Sequence, residues 1–342
     1  QNDKAYWVDK FSGELPILDL PSSKKRPVIK TYNGHSFGMH INAEKIQKLR
    51  QFSQEEKGSL FTGLLAVLNI TLHKYTAHKD IILGTVTAGR DHADLEDQIG
   101  FYVNTLALRN EVNTETSFQG LFAEVLKNTL TAYKHQMYPF DKLVEDLNLT
   151  RDLSRGPLFE ILVTLQNIGD RQAKGETQEV KGIQDLGTCQ SKFDLSVTFE
   201  EVGEGLSLVI IYNRDVYEEN MIQQFMNHFE SILENVLQNP TQKIKDIEYV
   251  SEKEKHVLFD VFNDTEIRYP VNKTILDSFA EQVSNHPNKT AISFENESLT
   301  FKELDEKSTQ LANCLIQNNV NKELIPLCVD RSLEMMIGIV GI

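Results

Sequence analysis

Apolar residues along this chain recur with two different spacings. Leu60, Phe61, Leu64, Leu65, Leu68, Leu72 and Tyr75 fall three or four residues apart, which gathers them on one face of a helix. Phe118, Leu121, Phe122, Val125, Leu130 and Tyr133 predict a second amphipathic helix. Met221, Ile222, Phe225, Phe229, Ile232, Leu233 and Val236 predict a third, longer one. Asn239-Pro240 ends it, because the residue before a proline is pushed out of the helical region. A shorter helix carrying Ile46 and Leu49 opens at Asn42, a favoured N-cap type. Between the helices, short apolar runs predict strands at residues 35–41, 80–87, 101–108, 158–165, 195–200 and 206–212. The last two are joined by Val202-Gly-Glu-Gly205, the one good hairpin signal.

The remaining stretches read as connections. Tyr6, Trp7 and Phe11 lie in a segment broken by Gly13, Pro16 and Pro21, which predicts a crossover loop. Residues 88–98 are polar, and residues 167–187 are rich in Gly, Gln, Lys and Glu, so both predict exposed loops. Residues 241–272 are charged and contain Asn263-Asp264 and Tyr269-Pro270, the marks of a surface connector. Beyond it, Ile275, Leu276, Phe279 and Val283 predict a helix, and residues 291–294 a strand. Thr300-Phe-Lys-Glu303 is a capping-box pattern opening a helix with Leu304, Leu311 and Leu315. A strand at 325–329 and a helix from about Ser332 complete the pattern. The domain reading is therefore 1–245, a connector at 246–273, and the start of a second domain at 274–342.

Composition narrows the class. The 342 residues are 40% hydrophobic and 25% charged, ordinary for a folded protein. A formal charge of −15 disfavours a nucleic-acid partner. Cys189, Cys314 and Cys328 show no metal-like spacing and are odd in number, which suits reduced thiols in a cytoplasm. No signal peptide opens the chain, and its apolar runs of about ten residues are too short to span a membrane. Beginning at Gln1 and stopping inside the apolar run of residues 335–342, the chain reads as a piece cut from something longer.

Three segments carry candidate chemistry. In Ile99-Gly-Phe-Tyr-Val-Asn-Thr-Leu-Ala-Leu-Arg109, Gly100 permits a bend or close approach, Asn104 needs a partner within an apolar strand, and Arg109 suits a salt bridge. In His135-Gln-Met-Tyr-Pro-Phe-Asp141, Pro139 stops a helix. There His135 has the chemistry of a base without a nearby nucleophile or orienting acid in sequence. In Arg151-Asp-Leu-Ser-Arg-Gly-Pro-Leu158, Arg151, Asp152, Arg155 and Pro157 suit a pinned loop.

In this order and at this spacing, the three segments resemble the later motifs of nonribosomal peptide synthetase condensation domains. Leu299-Thr-Phe-Lys-Glu-Leu304 resembles the first motif of an adenylation domain. Met137 stands where the family has an acid, Asp141 where it has Glu, and Gly156 where Asn is usual. The resemblance implies an α/β fold: a chloramphenicol-acetyltransferase-like lobe, a mixed sheet with outer helices, followed by the truncated start of an adenylation domain. It implies peptide-bond formation between carrier-bound donor and acceptor thioesters, with phosphopantetheine on partner carrier domains and ATP and Mg2+ in the complete adenylation domain. It also implies partner regions in the same polypeptide, an upstream condensation lobe and a downstream adenylation remainder.

Gly100, Asn104, Arg109, His135, Gln136, Pro139, Phe140, Arg151, Asp152, Arg155 and Pro157 are the motif residues, in tunnel-lining or structural roles. No residue is assigned as catalytic. The family's His-His-x-x-x-Asp-Gly motif has no match, since no two of the nine His are adjacent. Its expected place is upstream of Gln1. Neither a P-loop nor a G-x-G-x-x-G is present. Two other readings stay open: an epimerisation-type domain of the same superfamily, and a non-catalytic carrier-binding lobe.

Overall fold

The computed structural model describes residues 2–90, 94, 98–149, 152–166, 183–267, 271–320 and 324–342. Contacts divide the chain into two units, residues 1–260 and 261–342. In the first, the described elements are α1 (Asn2–Lys10), β1 (Asn33–Ile41), α2 (Ala43–Glu55), α3 (Leu60–Thr76), β2 (Asp80–Thr87), β3 (Asn104–Glu111), α4 (Phe118–Lys134) and α5 (Phe140–Asp146). There follow β4 (Ile161–Gln166), β5 (Ile183–Gln190), β6 (Leu195–Val202), β7 (Gly205–Asn213), α6 (Glu219–Gln238) and α7 (Glu252–His256).

The strands form one sheet in the order β3-β2-β4-β6-β7-β1-β5. β4 runs parallel to β2 and β6, and every other described pairing is antiparallel, so the sheet is mixed. Alternation along the central strands decides its faces. Ile161 and Val163, Leu195, Val197 and Phe199, and Leu206, Leu208, Ile210 and Tyr212 are buried, while Thr164, Ser196, Thr198 and Ser207 between them stay half-buried. Helices α2, α3, α4 and α6 pack together and against the strands. α3 is buried from Leu60 to Leu72 on almost every side, as expected of a core helix.

Several expectations meet tertiary corrections. Residues 11–32 form no helix or strand, as the predicted crossover loop requires, but Tyr6 and Trp7 lie in α1, and Trp7 and Phe11 are in the core. The apolar residues of the helix found a surface to bury against, and Gly13 and Pro16 lie beyond its end. The strand predicted at 101–108 runs from Asn104 to Glu111, because β2 ends at Thr87 opposite Asn104 and offers residues 101–103 no partner. Ile99 and Phe101 are fully exposed. The strand predicted at 158–165 starts at Ile161: Leu158 has φ +74°, a left-handed backbone that interrupts extension. Of the loop predicted at 167–187, residues 167–182 lie outside the described residues, and Ile183–Gln190 forms edge strand β5. Its side chains are mostly exposed, and backbone pairing with β1 defines it. Residues 325–329 form no strand. The predicted β6–β7 hairpin is present, with Gly203 at φ +59° in its turn.

Residues that follow α6 do not leave the first unit at once. Ile244 and Ile247 are buried, and the Ile244 amide donates to the Thr116 carbonyl at 2.9 Å. α7 opens with a capping box in which Ser251 and Glu254 satisfy each other's backbone amides. Glu254 also lies 2.8 Å from Nε2 of His228 on α6, whose Nδ1 is 2.7 Å from the Tyr75 hydroxyl on α3. In the neutral ring the carboxylate accepts from Nε2–H, and Nδ1 accepts from Tyr75. Tyr269-Pro270 lies outside the described residues.

The second unit holds α8 (Ile275–Asn285), the hairpin of β8 (Thr290–Phe294) and β9 (Glu297–Thr300), α9 (Phe301–Gln317) and α10 (Leu333–Gly341). Thr300 and Glu303 make both hydrogen bonds of the predicted capping box. Its buried apolar cluster is Leu299, Leu304 and Leu333. Among the described residues no helix is long and apolar enough to cross a membrane. The three cysteines are unpaired and exposed.

Candidate functional site

Asn104, first residue of β3, joins two of the sequence motifs. Its Nδ2 donates to the carbonyls of Gln136 at 2.7 Å and Tyr138 at 2.9 Å. Its Oδ1 accepts from the amides of Phe140 at 3.2 Å and Thr105 at 2.9 Å. Every hydrogen-bonding position of the amide is thus filled, chiefly by the turn between α4 and α5. Gln136 anchors the same turn to the end of β2 by accepting from the Thr87 hydroxyl. Pro139 takes the N-cap position of α5 with φ −65°, where its ring costs no helical hydrogen bond. Phe140 tilts against Phe159 with centroids 5.5 Å apart. Phe159 in turn lies on Gly84 of β2, where a Cβ would come within 2.0 Å of the ring, so only glycine fits there.

His135 faces the other way. Its Nδ1 is 2.6 Å from Asp3 Oδ1, its ring stacks on Tyr6 at 4.2 Å, and its carbonyl accepts from Trp7 Nε1 at 2.9 Å. It fastens α1 to the end of α4. Tyr138 donates to Asp146, which also pairs with Lys4 at 2.9 Å. Arg109 grips Asp80 through Nε at 3.0 and 3.1 Å and Nη2 at 2.6 Å, and donates to the carbonyls of Lys10 and Glu14. The Asp80 hydrogen bonds raise its pKa further. Gly100 sits in the exposed segment before β3, its carbonyl 3.4 Å from Arg90.

The third motif builds a separate corner. Arg151 lies outside the described residues. Asp152 accepts from the Ser154 amide and hydroxyl at 2.8 and 2.7 Å, and these bonds hold its pKa below the usual carboxylate range. Arg155 meets Asp19 with both terminal nitrogens, at 2.8 and 2.5 Å. Burial opposes the Asp19 charge, yet the bonds from Arg155 and Arg26 outweigh it and lower the pKa. Pro157 accepts from the Phe159 amide at 3.0 Å, closing the turn whose Leu158 has positive φ. Between this turn, α5 and residues 13–17 opens a groove of about 890 Å3 that reaches Asp141, Asp152, Arg155, Pro157 and Glu160.

Sequence reasoning missed Thr87, Asp3, Asp80, Gly84 and Glu160. None carries a local signal, because each matters only through a partner distant in sequence. The described histidines show no triad with a nucleophile: the pairs found are with Asp185, Asp3, Glu254 and Asp260. Among the described residues no three His, Cys, Asp or Glu side chains gather as a metal site.

The condensation-domain family model matches residues 1–259, and the AMP-binding enzyme model matches residues 279–342. Tyrocidine synthase 3 of Brevibacillus parabrevis is 37% identical over 338 residues, covering 98% of this chain and 5% of that protein. Gramicidin S synthase 2 of Brevibacillus brevis is 38% identical over 344 residues, covering all of this chain and 8% of that one. Surfactin synthase subunit 1 of Bacillus subtilis (strain 168) is 35% identical, covering all of this chain and 10% of its own length. The chain thus spans a tenth or less of the length of these relatives. A holo four-domain nonribosomal peptide synthetase bound to AMP and glycine superposes with a TM-score of 0.81 at 17% identity, covering all of this chain and 27% of that structure. The condensation domain of the Monacolin K polyketide synthase gives 0.59 at 18% identity, over 71% of this chain and 58% of that one. These two structures establish a shared fold.

Proposed function

Since the chain belongs to the condensation-domain family over residues 1–259, we propose that it is part of an elongation module of a nonribosomal peptide synthetase. In that reading the parent enzyme joins a donor acyl group to the amine of an acceptor aminoacyl group. Both would be carried as thioesters on phosphopantetheine arms of carrier domains, in a cytoplasmic assembly. The observation that carries the reading is the order of the two matches, with the AMP-binding match following the condensation match in one chain. That order favours an elongation module over an epimerisation-type domain. Residues 274–342 would open an adenylation domain that uses ATP and Mg2+ to activate an amino acid.

Among the described residues of the second unit no acidic metal-ligand cluster gathers, and a cleft there is lined by Ile292, Phe294, Leu333 and Met336 with Arg331 and Ser332. The described motif residues hold the architecture. Asn104 holds the 136–140 turn, Arg109 locks β3 to β2 and to α1, and the Arg155–Asp19 and Arg26–Ser154 bonds hold residues 19–26 beside the 152–160 turn. Lacking an adjacent His pair, the 342 residues alone act as a non-catalytic lobe that meets carrier domains.

The test uses two loaded carrier proteins and reads dipeptidyl thioester. The full parent enzyme should form it, and the 342-residue chain should form none above the uncatalysed rate. Turnover by the short chain would sink the assignment of its role.

A further inference from the structure

The groove beside α5 has a feature that its motif residues do not use. Glu160 lies at it with 6% exposure, and its carboxyl makes no hydrogen bond among the described residues. The nearest cation is Nη1 of Arg155 at 3.8 Å, already committed to Asp19 at 2.8 Å. We infer that this groove binds a primary ammonium group on a short apolar stem, with the Glu160 carboxylate as its counter-ion.

Charge, shape and protonation support the assignment. Around Glu160 the described charges pair off: Arg155 with Asp19, Arg26 with Asp194 at 2.7 Å, and Lys142 with Glu145 at 2.7 Å. Lys30 is the remaining described cation: it is half-buried over the Phe193 ring, its Nζ stands beside the groove residue Gly156, and burial lowers its pKa against the opposing pull of Asp194 and Glu160. Arg155 also lies 3.5 Å from Asp152, so one guanidinium is shared among Asp19, Asp152 and Glu160, and with Asp141 the groove carries a negative excess among the described residues. Leu15, Ile17, Val144 and Leu149 line its walls and suit methylene groups. A buried carboxyl without a hydrogen-bond donor costs free energy when ionised. Burial first, then Asp194 and Asp19, push its pKa up to about 7 against the opposing Arg155 and Arg26. The proton is therefore what an ammonium group would replace. Arg155 is a fixed cation throughout, and Asp19 stays ionised because its pKa is lowered.

The test is titration calorimetry of the full 342-residue chain with n-butylammonium, using n-butanol and butyrate as matched controls. N-acetyl-lysine amide forms a second arm that separates a free amine from a lysine side chain of a peptide. Saturable binding of n-butylammonium should tighten about tenfold from pH 6 to pH 8, as Glu160 ionises around pH 7. Glu160→Gln, which keeps the shape, should weaken it at least tenfold. Equal binding of n-butanol, a pH-independent affinity in the unaltered chain, or full affinity in Glu160→Gln would each overturn the inference.

Discussion

Asn104 reads in sequence as a polar residue stranded in an apolar strand, with the need for a partner obvious and the partner hidden. The structure supplies two carbonyls and two amides, three of the four from the turn at 136–140. Asn104→Ala should lower stability by about 2–3 kcal/mol in urea unfolding, since several backbone groups lose partners together. Asn104→Asp should be no milder, because a carboxylate would face the carbonyls of Gln136 and Tyr138 without a proton to give. A midpoint unchanged in both variants would remove Asn104 from the architecture and leave a direct tunnel role as its only reading. Glu160 gives a pH prediction of definite sign. Its carboxyl titrates near 4.5 when unfolded and near 7 when folded. The folded state therefore holds the proton more tightly, and stability falls as pH rises through that window. Above pH 7 the penalty reaches up to about 3 kcal/mol. Glu160→Gln should abolish it, so the variant should be the more stable of the two at pH 8 and comparable at pH 4.5. Parallel stability curves across this range would refute the burial argument.

At the scale of elements, helices and strands with strong periodic faces were legible, and those defined by pairing were not. α3, α4, α6 and the β6–β7 hairpin follow their apolar spacing. β5 has exposed side chains and exists because β1 offers an open edge. α1 looked broken because Gly13 and Pro16 follow it, yet Trp7 and Phe11 are among the most buried residues. The charged segment after α6 shows the same limit. Its charge marked a surface connector without saying what holds it, and Glu254 closes a relay to His228 and Tyr75 that straps α7 to α6 and α3. Glu254→Ala should raise amide exchange across residues 252–256 by tenfold or more, with the central strands unaffected. His228→Phe, which keeps the ring contacts, should do likewise. Unchanged exchange in both would show that Ile244 and Ile247 alone hold the strap.

For the whole molecule, the two units differ in how much apolar surface they bury. The first has a continuous core running from Trp7 to Ile247 through both the helices and the sheet. The second buries Leu299, Leu304 and Leu333, with Phe279, Ala291, Ile292 and Ile337 partly covered. A core of that size supplies little stability against chain entropy. Residues 1–260 produced alone should therefore melt within about 2 °C of the 342-residue chain. Residues 261–342 alone should show poorly dispersed amide resonances. Loss of cooperative melting in the shorter piece would contradict the division of the core.

What the sequence determined by itself was the family, the α/β class, the order of most helices and strands, and the cap that opens α9. Each of these depends on neighbours within a few residues, through periodicity, capping or a motif's internal spacing. What only tertiary structure decided was which groups meet: Asn104 with the 136–140 turn, Gly84 under Phe159, His135 with Asp3, Glu254 with His228, and Glu160 at the groove with no hydrogen-bond donor among the described residues. The partners in these contacts lie tens to more than a hundred residues apart in the chain. Their burial and charge are properties of the packed sheet and helices, and no local pattern encodes them.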